Sequence, residues 1–299
     1  MSTDAIAPTR PAPPTNPVTG RRSFLPSRRF LLLIGVLAAF FAIWEAGVHF
    51  TGTYEIILPK PSSIFKALVA GFSAPVTSRA NYFYHAQQSF SQILAGYAVG
   101  STLGLLLATL SVRFPILEYL MRPFIVAINS MPKIALAPVL IVWFGLGFNS
   151  KFVLVILATF FPLFVNGVTG FRSVEEGPLR LMRSFGASPR QIFTKLTFPT
   201  ALPFIFAGLE IGMVHAITSG IAAEFLGGQR GLGTMMLIAQ QVLDVPGMFA
   251  VLVILALIGW LMSVIIRTAR RRIVYWAPES RAAQRTVPGV ELTAPRPRP

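Results

Sequence analysis

Apolar residues recur along this chain in long blocks separated by shorter polar stretches, at approximately 30–50, 90–112, 123–147, 152–170, 201–225 and 248–266. Each block is close to the length, roughly 17 to 25 residues, that a helix needs to cross the ~30 Å hydrocarbon layer of a bilayer. A backbone in lipid must satisfy its own polar groups, so blocks of this kind predict membrane-spanning helices. The pattern predicts an all-α membrane protein with six transmembrane helices. The N-terminal one occupies residues 29–51. Residues 1–28, rich in Pro, Thr, Ala and Arg with no periodic apolar face, predict a disordered tail; 271–299 predict a second tail, disordered from about Pro278.

Composition supports lipid as the solvent: 54% of the 299 residues are hydrophobic and 12% are charged. The formal net charge is +15, and its placement decides what it means. With the N-terminus inside, the inner segments hold all but six of the 26 Lys and Arg. Lys60, Lys66, Arg79, Lys151 and Arg230 fall outside, and Lys133 falls within a span. Retention of basic residues in cytoplasmic loops accounts for that asymmetry, so the charge reports topology rather than nucleic-acid binding. Arg21-Arg22-Ser23-Phe24-Leu25 resembles a twin-arginine export signal. The long apolar run behind it and the five further spans favour a membrane anchor instead. The chain has no cysteine and three histidines, which excludes disulfides and thiolate metal sites and leaves little for zinc.

Pro132 and Pro138 lie in the third block and Pro162 in the fourth. Each removes a backbone donor, so these segments are expected to face the protein interior or an aqueous cavity. Gly96, Gly100, Gly104 and Ala108, four apart on one face, predict close helix packing. Ionisable residues inside spans often mark a pathway. Here they are Lys133, Glu210, His215 and Glu224. Snorkelling or loop placement competes as an explanation for Lys133 and Glu224. Glu210 and His215 lie deeper, with Thr218 and Ser219 about one turn beyond His215, and are expected to face the bundle. Asn129 and Asn166 offer neutral donors to such a cavity, or hydrogen bonds between helices.

One long charged insertion separates two apolar blocks, residues 171–198, FRSVEEGPLRLMRSFGASPRQIFTKLTF. It predicts two short helices. Gly177-Pro178 starts the first, and Gly186 ends it in a left-handed turn. Ser188-Pro189-Arg190-Gln191 starts the second with a capping box, and Pro199 ends it. Leu179, Met182 and Phe185 share one side of the first helix, leaving Arg180, Arg183 and Ser184 for the other. Read alone, this segment is equally well a solvated loop or a helix pair lying on the lipid surface.

Its spacing adds more. Gly186, nine residues, Leu196, one residue, then Phe198-Pro199 resembles the G-x9-I-x-L-P part of the "EAA" loop in bacterial ABC importer permeases. Arg180-Leu181-Met182 stands where that family usually has Glu-Ala-Ala. The resemblance extends over about 57–277. Leu58-Pro59-Lys60-Pro61-Ser62 is similar to an LPSPS segment, and Ser130-Met131-Pro132-Lys133-Ile134-Ala135-Leu136-Ala137-Pro138 to an (N)IPxLALxPL stretch. Trp143-Phe144-Gly145 follows in register, and Glu224 with Gly231-Leu232-Gly233 is similar to an E…GLG segment. These motifs resemble the permease branch serving sulfonates, taurine, nitrate and thiamine precursors.

The resemblance implies a type I permease core at 85–270 preceded by one extra N-terminal helix, with a loop at 171–199 that couples to an ATPase. The coupling residues it implies are Leu179, Arg180, Met182, Phe185, Gly186 and Ala187, with Leu196 and Pro199 beyond the turn. It also implies partners: two copies of an ATP-binding subunit carrying ATP and Mg, an external solute-binding protein, and a second copy of this permease. The expected solute is small and anionic, with a thiamine or pyrimidine precursor or an aromatic carboxylate as the alternative. No lysine follows a glycine, so no G-x4-G-K-[ST] loop exists and this chain is expected to bind no nucleotide and no metal. The cluster Gly227, Gly228, Gly231 and Gly233 lacks a preceding strand and predicts a flexible outer loop rather than a dinucleotide site. A secondary carrier would need ion-coupling carboxylates near midplane, a condition only Glu210 approaches. An intramembrane enzyme would have to rest on His215 and Ser219.

Overall fold

The computed structural model describes residues 28–75, 78 and 80–276, with the side chains of 28–30, 115, 122, 124, 126 and 128–130 outside that description. The tails expected at 1–28 and 271–299 fall outside it except at their inner edges. The elements are α1 (Arg28–Thr51), α2 (Pro61–Ser73), α3 (Tyr82–Arg113), α4 (Pro115–Ser130), a 3₁₀ turn (Lys133–Leu136), α5 (Ala137–Phe144) and α6 (Phe148–Arg172). There follow α7 (Glu176–Ser184), α8 (Pro189–Ile192), a π turn (Phe193–Thr197), α9 (Phe198–Gly227), α10 (Leu232–Gln241) and α11 (Val245–Ile273).

Among the described residues five helices are long and apolar enough to cross a membrane: Leu31–Thr51, Tyr82–Arg113, Phe148–Arg172, Pro189–Gly227 and Val245–Ile273. The third expected span is discontinuous. Pro132 lacks a donor and disfavours helical backbone at Met131, so α4 stops at Ser130. A 3₁₀ turn intervenes, and α5 resumes with Pro138 in its first turn, where a missing N–H breaks no bond. The expected stop at Pro199 does not occur. The π turn Phe193–Thr197, closed by Phe198 N–H donating to the Phe193 carbonyl, has already displaced the regular ladder when the chain reaches Pro199. The helix therefore continues through that residue into α9. Two helices, α2 and α10, lie where apolar length gave no span.

The core is built around α6, which packs between α3 and α9. The small-residue stripe of α3 faces α6 at backbone distance. A Cβ on Gly100 would stand 2.7 Å from the Ile156 carbonyl oxygen, and one on Gly104 would stand 2.6 Å from that of Phe160. From α9, a Cβ on Gly208 would lie 3.1 Å from the Pro162 carbonyl oxygen. Lipid tails are as apolar as leucine, so helices associate through such close van der Waals contact rather than through a hydrophobic driving force. Leu154, Val155, Ala158, Leu163, Phe164 and Ala201 are buried at these contacts.

The N-terminal helix α1 stands apart: Val48 is its one buried residue among those described. It is tied to the rest by the Trp44–Phe249 ring contact at 6.2 Å and by Glu45. The Glu45 carboxylate accepts from the Ser62 N–H at 3.0 Å and the Ser62 hydroxyl at 2.7 Å, capping the start of α2 from another helix.

Gly104→Leu should destabilise the purified protein by about 1–3 kcal/mol through overpacking against α6. Gly35→Leu, where an added Cβ meets nothing within 4 Å, should leave stability unchanged. Both are read as the temperature at which the detergent-solubilised protein loses monodispersity.

Candidate functional site

The charged loop folds into a rigid elbow. Helix α7 begins at Glu176, slightly ahead of the predicted Gly177-Pro178 start, and ends in a double-bonded cap. Gly186 N–H donates to the Arg183 carbonyl and Ala187 N–H to the Met182 carbonyl, each at 3.0 Å. This pairing requires a left-handed residue between helix and exit, and Gly186 supplies it at φ 71°. Only two residues later Ser188 starts α8. Gln191 N–H donates to the Ser188 hydroxyl at 3.3 Å, and Ser188 N–H donates to the Gln191 side-chain oxygen at 2.8 Å. Orphan backbone groups on both sides of the bend are thereby satisfied.

The outer surface of the elbow is apolar at its tip and charged along its flank. Phe185 is 80% exposed and Leu181 57%, while Leu179 and Met182 are half-buried. Arg180 forms an i,i+4 ion pair with Glu176. Between the elbow and the end of α3 lies an open cleft of about 640 Å³ lined by Arg113, Leu179, Arg183, Arg190, Ile192 and Phe193. Two attachments join the elbow to the bundle. One is covalent: α8, the π turn carrying half-buried Leu196, and α9 form one continuous rod past Pro199. The other is aromatic, with the Phe193 ring 5.8 Å from Phe171 at the end of α6 and 6.1 Å from Phe198.

The intramembrane polar residues separate into two groups. Lys133, at the break between α4 and α5, places its ammonium 5.7 Å from the ring centroid of Phe161 on α6. It also interacts electrostatically with His215 of α9, which is exposed on the protomer surface. The break, the central helix and α9 thus bring a cation, an aromatic ring and an imidazole together. Thr218, exposed beside them, donates to the Val214 carbonyl of its own helix at 2.8 Å, and Ser219 is buried.

The others lie elsewhere. Glu210 pairs with Arg270 of α11 at 3.3 Å. Asn166 donates one turn back to the Pro162 carbonyl at 2.8 Å. Asn129 lies near the end of α4, with its side chain outside the described ones. Glu224 is 1% exposed and accepts from the Ser89 hydroxyl and the Gly233 N–H. Among the described residues no cluster of three or more His, Cys, Asp or Glu is placed to hold a metal.

Sequence reading missed Ser89 and the burial of Lys151. Lys151 sits in the first turn of α6 at 3% exposure, with its ammonium donating to the Arg230 carbonyl at 3.3 Å. Ser89 and Lys151 lie far from Glu224 in the chain, so no local spacing joins them to it. The glycine-rich outer loop is likewise not free, since Gly231, Leu232 and Gly233 all donate to side chains.

Residues 100–275 match the family described as binding-protein-dependent transport system inner membrane component. The riboflavin transport system permease protein RibX of Chloroflexus aurantiacus is 32% identical over 252 residues, covering 84% of this chain and 89% of its own length. The taurine transport system permease protein TauC of Escherichia coli is 30% identical over 261 residues, covering 85% and 92%. The formylaminopyrimidine transport permease protein ThiX of Halalkalibacterium halodurans is 32% identical over 251 residues, covering 84% and 95%. An inward-facing crystal structure of the MetNI methionine ABC transporter matches with a TM-score of 0.52 at 19% identity, covering 70% of this chain and 97% of the compared one. That likeness shows the fold, a type I permease core. With this core and this family match, the chain belongs to the binding-protein-dependent transport system inner membrane components: it is a multi-pass permease subunit of an ABC importer, not the subunit that hydrolyses ATP.

Proposed function

We propose that this chain lines the translocation pathway of an importer for a small anionic solute, and that the elbow formed by α7 and α8 is its contact with the ATPase. The observation that carries the solute class is the Lys133 ammonium over the Phe161 ring, with His215 of α9 within electrostatic reach of it. Both carboxylates of α9 are occupied elsewhere, Glu210 by Arg270 and Glu224 by Ser89 and Gly233, so the group is cationic in net character. A sulfonate, taurine or nitrate fits that chemistry, and one relative is a taurine permease. The Phe161 ring, with the riboflavin and formylaminopyrimidine relatives, favours a second reading, a pyrimidine precursor or aromatic carboxylate.

Residues 85–270 form the transport domain in this reading. Two copies of the chain face each other, because one protomer leaves His215 exposed and Lys133 only half-buried, and a two-fold partner is the commonest way to close such a half-site. Two ATPase subunits, which carry ATP and Mg, dock beneath, and a solute-binding protein delivers from outside. The exposed Phe185 tip enters the ATPase, and closure of the ATPase pair is transmitted along the α8–α9 rod and through the Phe171–Phe193 contact to α6. The basic residues concentrated on the elbow side support a cytoplasmic position for that side and for both termini. A carrier or an intramembrane hydrolase is less well supported: Glu210 is ion-paired, and exposed His215 lies on the helix with a buried Ser219.

Orientation is checked with single cysteines, since the native chain has none. An impermeant maleimide added to intact cells should label Ser78→Cys and not Ser188→Cys; the reverse pattern contradicts the topology. Gly186→Val forces a β-branched residue into a left-handed turn, at a cost of roughly 1–2 kcal/mol. Membrane expression should remain near wild type while uptake and co-purification of the ATPase fall about tenfold or more. Unchanged transport and retention would remove the coupling role. The solute class is tested on the partner binding protein by thermal shift. A sulfonate, nitrate or carboxylate should stabilise it, and Lys133→Gln in the permease should then cut uptake of that anion about tenfold or more, one charge-assisted contact being worth roughly 1.5–3 kcal/mol. Stabilisation by neutral compounds alone contradicts the anionic reading.

A further inference from the structure

The start of α10 is held from outside its own segment. A helix N-terminus leaves its first backbone N–H groups without intrahelical partners, and here three consecutive ones are taken by side chains of two other helices. Gly231 N–H donates to His85 Nδ1 at 3.1 Å, Leu232 N–H to the Ser89 hydroxyl at 2.8 Å, and Gly233 N–H to Glu224 Oε2 at 2.7 Å. His85 and Ser89 lie one turn apart on α3, and Glu224 lies in the last turn of α9.

The three acceptors are linked. The Ser89 hydroxyl, having accepted from Leu232, donates in turn to the Glu224 carboxylate, at 2.7 and 2.9 Å from its two oxygens. Ser89 and Glu224 are each 1% exposed, so water does not compete for these bonds. No side chain fits between the loop and the acid: a Cβ on Gly231 would stand 2.3 Å from the Glu224 carboxylate, and one on Gly233 would stand 2.8 Å from Glu224 Cβ. A carboxylate at a helix N-terminus is also favoured by the helix dipole. Behind it, buried Lys151 of α6 holds the Arg230 carbonyl at 3.3 Å.

We propose that Glu224, acting with Ser89, is a positioning residue rather than a solute contact. It clasps the 228–233 segment to α3, so that the ends of α3, α9 and α10 opposite the elbow move as one body when the pathway opens. The movement rests on the importer reading above; the clasp itself does not. The hydroxyl is specifically required, because one atom must accept from an amide and donate to a carboxylate at once. Ser89→Ala strands the Leu232 N–H and removes one donor from the acid. Glu224→Gln keeps the volume but brings a donor into a site supplied by donors.

The test uses the full chain co-purified with its ATPase in lipid nanodiscs. Hydrogen–deuterium exchange of the peptide covering 229–235 should be slow in the wild type. It should accelerate about tenfold or more in Ser89→Ala and in Glu224→Gln, as expected for local opening once buried hydrogen bonds are removed. The double variant should exchange more slowly than the two single effects multiplied together, since both remove the Ser89–Glu224 bond. Exchange in the wild type at the rate of a free loop, or independent additive effects, would overturn the clasp.

Spin labels at Phe83→Cys and Gln229→Cys, two exposed positions, should keep one intrachain distance with and without vanadate-trapped nucleotide. A shift on trapping would overturn the rigid-body claim even with the loop protected. A single label at Gln229 reports the distance between two copies. Its failure to change on trapping would count against the importer reading while leaving the clasp, judged by exchange, intact.

Discussion

The close approach of α3 and α9 to α6 is the contact on which the rest of the structure depends. In lipid, helices gain little from burying apolar surface, so they must touch closely enough for dispersion to hold them. Glycine on α3 and α9 permits that approach, with backbone carbonyls of α6 less than 3 Å from where a Cβ on Gly100 or Gly104 would stand. Pro162 is tolerated inside α6 because this helix is buried on both faces. The elbow, the broken third span and the polar group around Lys133 are all positioned against this central helix, so any shift of α6 relative to α9 reaches each of them.

The elbow concentrates local chemistry in a few residues. A glycine cap and a capping box, separated by a single residue, fix the angle between α7 and α8 with four hydrogen bonds and little tertiary support. Such a joint is stiff because its orphan groups are satisfied at that one angle. The π turn that follows keeps α8 and α9 continuous where a proline would otherwise interrupt them. Under the proposed function this continuity is the lever: force applied at the exposed Phe185 tip has a rod to travel along and an aromatic contact, Phe171–Phe193, to carry it to the core.

Much of this was legible in the chain because its causes are local. Apolar length identified the spans, the four-residue spacing of Gly96, Gly100, Gly104 and Ala108 identified a packing face, and Gly186 with Ser188-Pro189-Arg190-Gln191 identified the elbow and its caps. Apolar length was misleading at 123–147, where hydropathy is continuous but Pro132 breaks the backbone. The proline rule failed at Pro199, because a preceding π turn cannot be read from residue types. Glu224 illustrates the limit of single-segment reasoning. A carboxylate near a span end is as suited to lining a pathway as to holding a loop, and only the arrival of Ser89 from a distant part of the chain, beside the neighbouring start of α10, decides its surroundings. Lys133 and His215, about eighty residues apart in the chain, meet for the same reason, through the packing of the break against α6 and α9.

The central claim is that this permease moves its solute with energy supplied by ATP through the elbow, not by an ion gradient. The most direct measurement is uptake of the anion held by the partner binding protein into proteoliposomes containing the permease and its ATPase. These are loaded with ATP or with a non-hydrolysable analogue, and assayed in the presence of an uncoupler. The account predicts uptake with internal ATP that survives the uncoupler and is absent with the analogue. Uptake that the uncoupler abolishes, or that proceeds equally with the analogue, would contradict it.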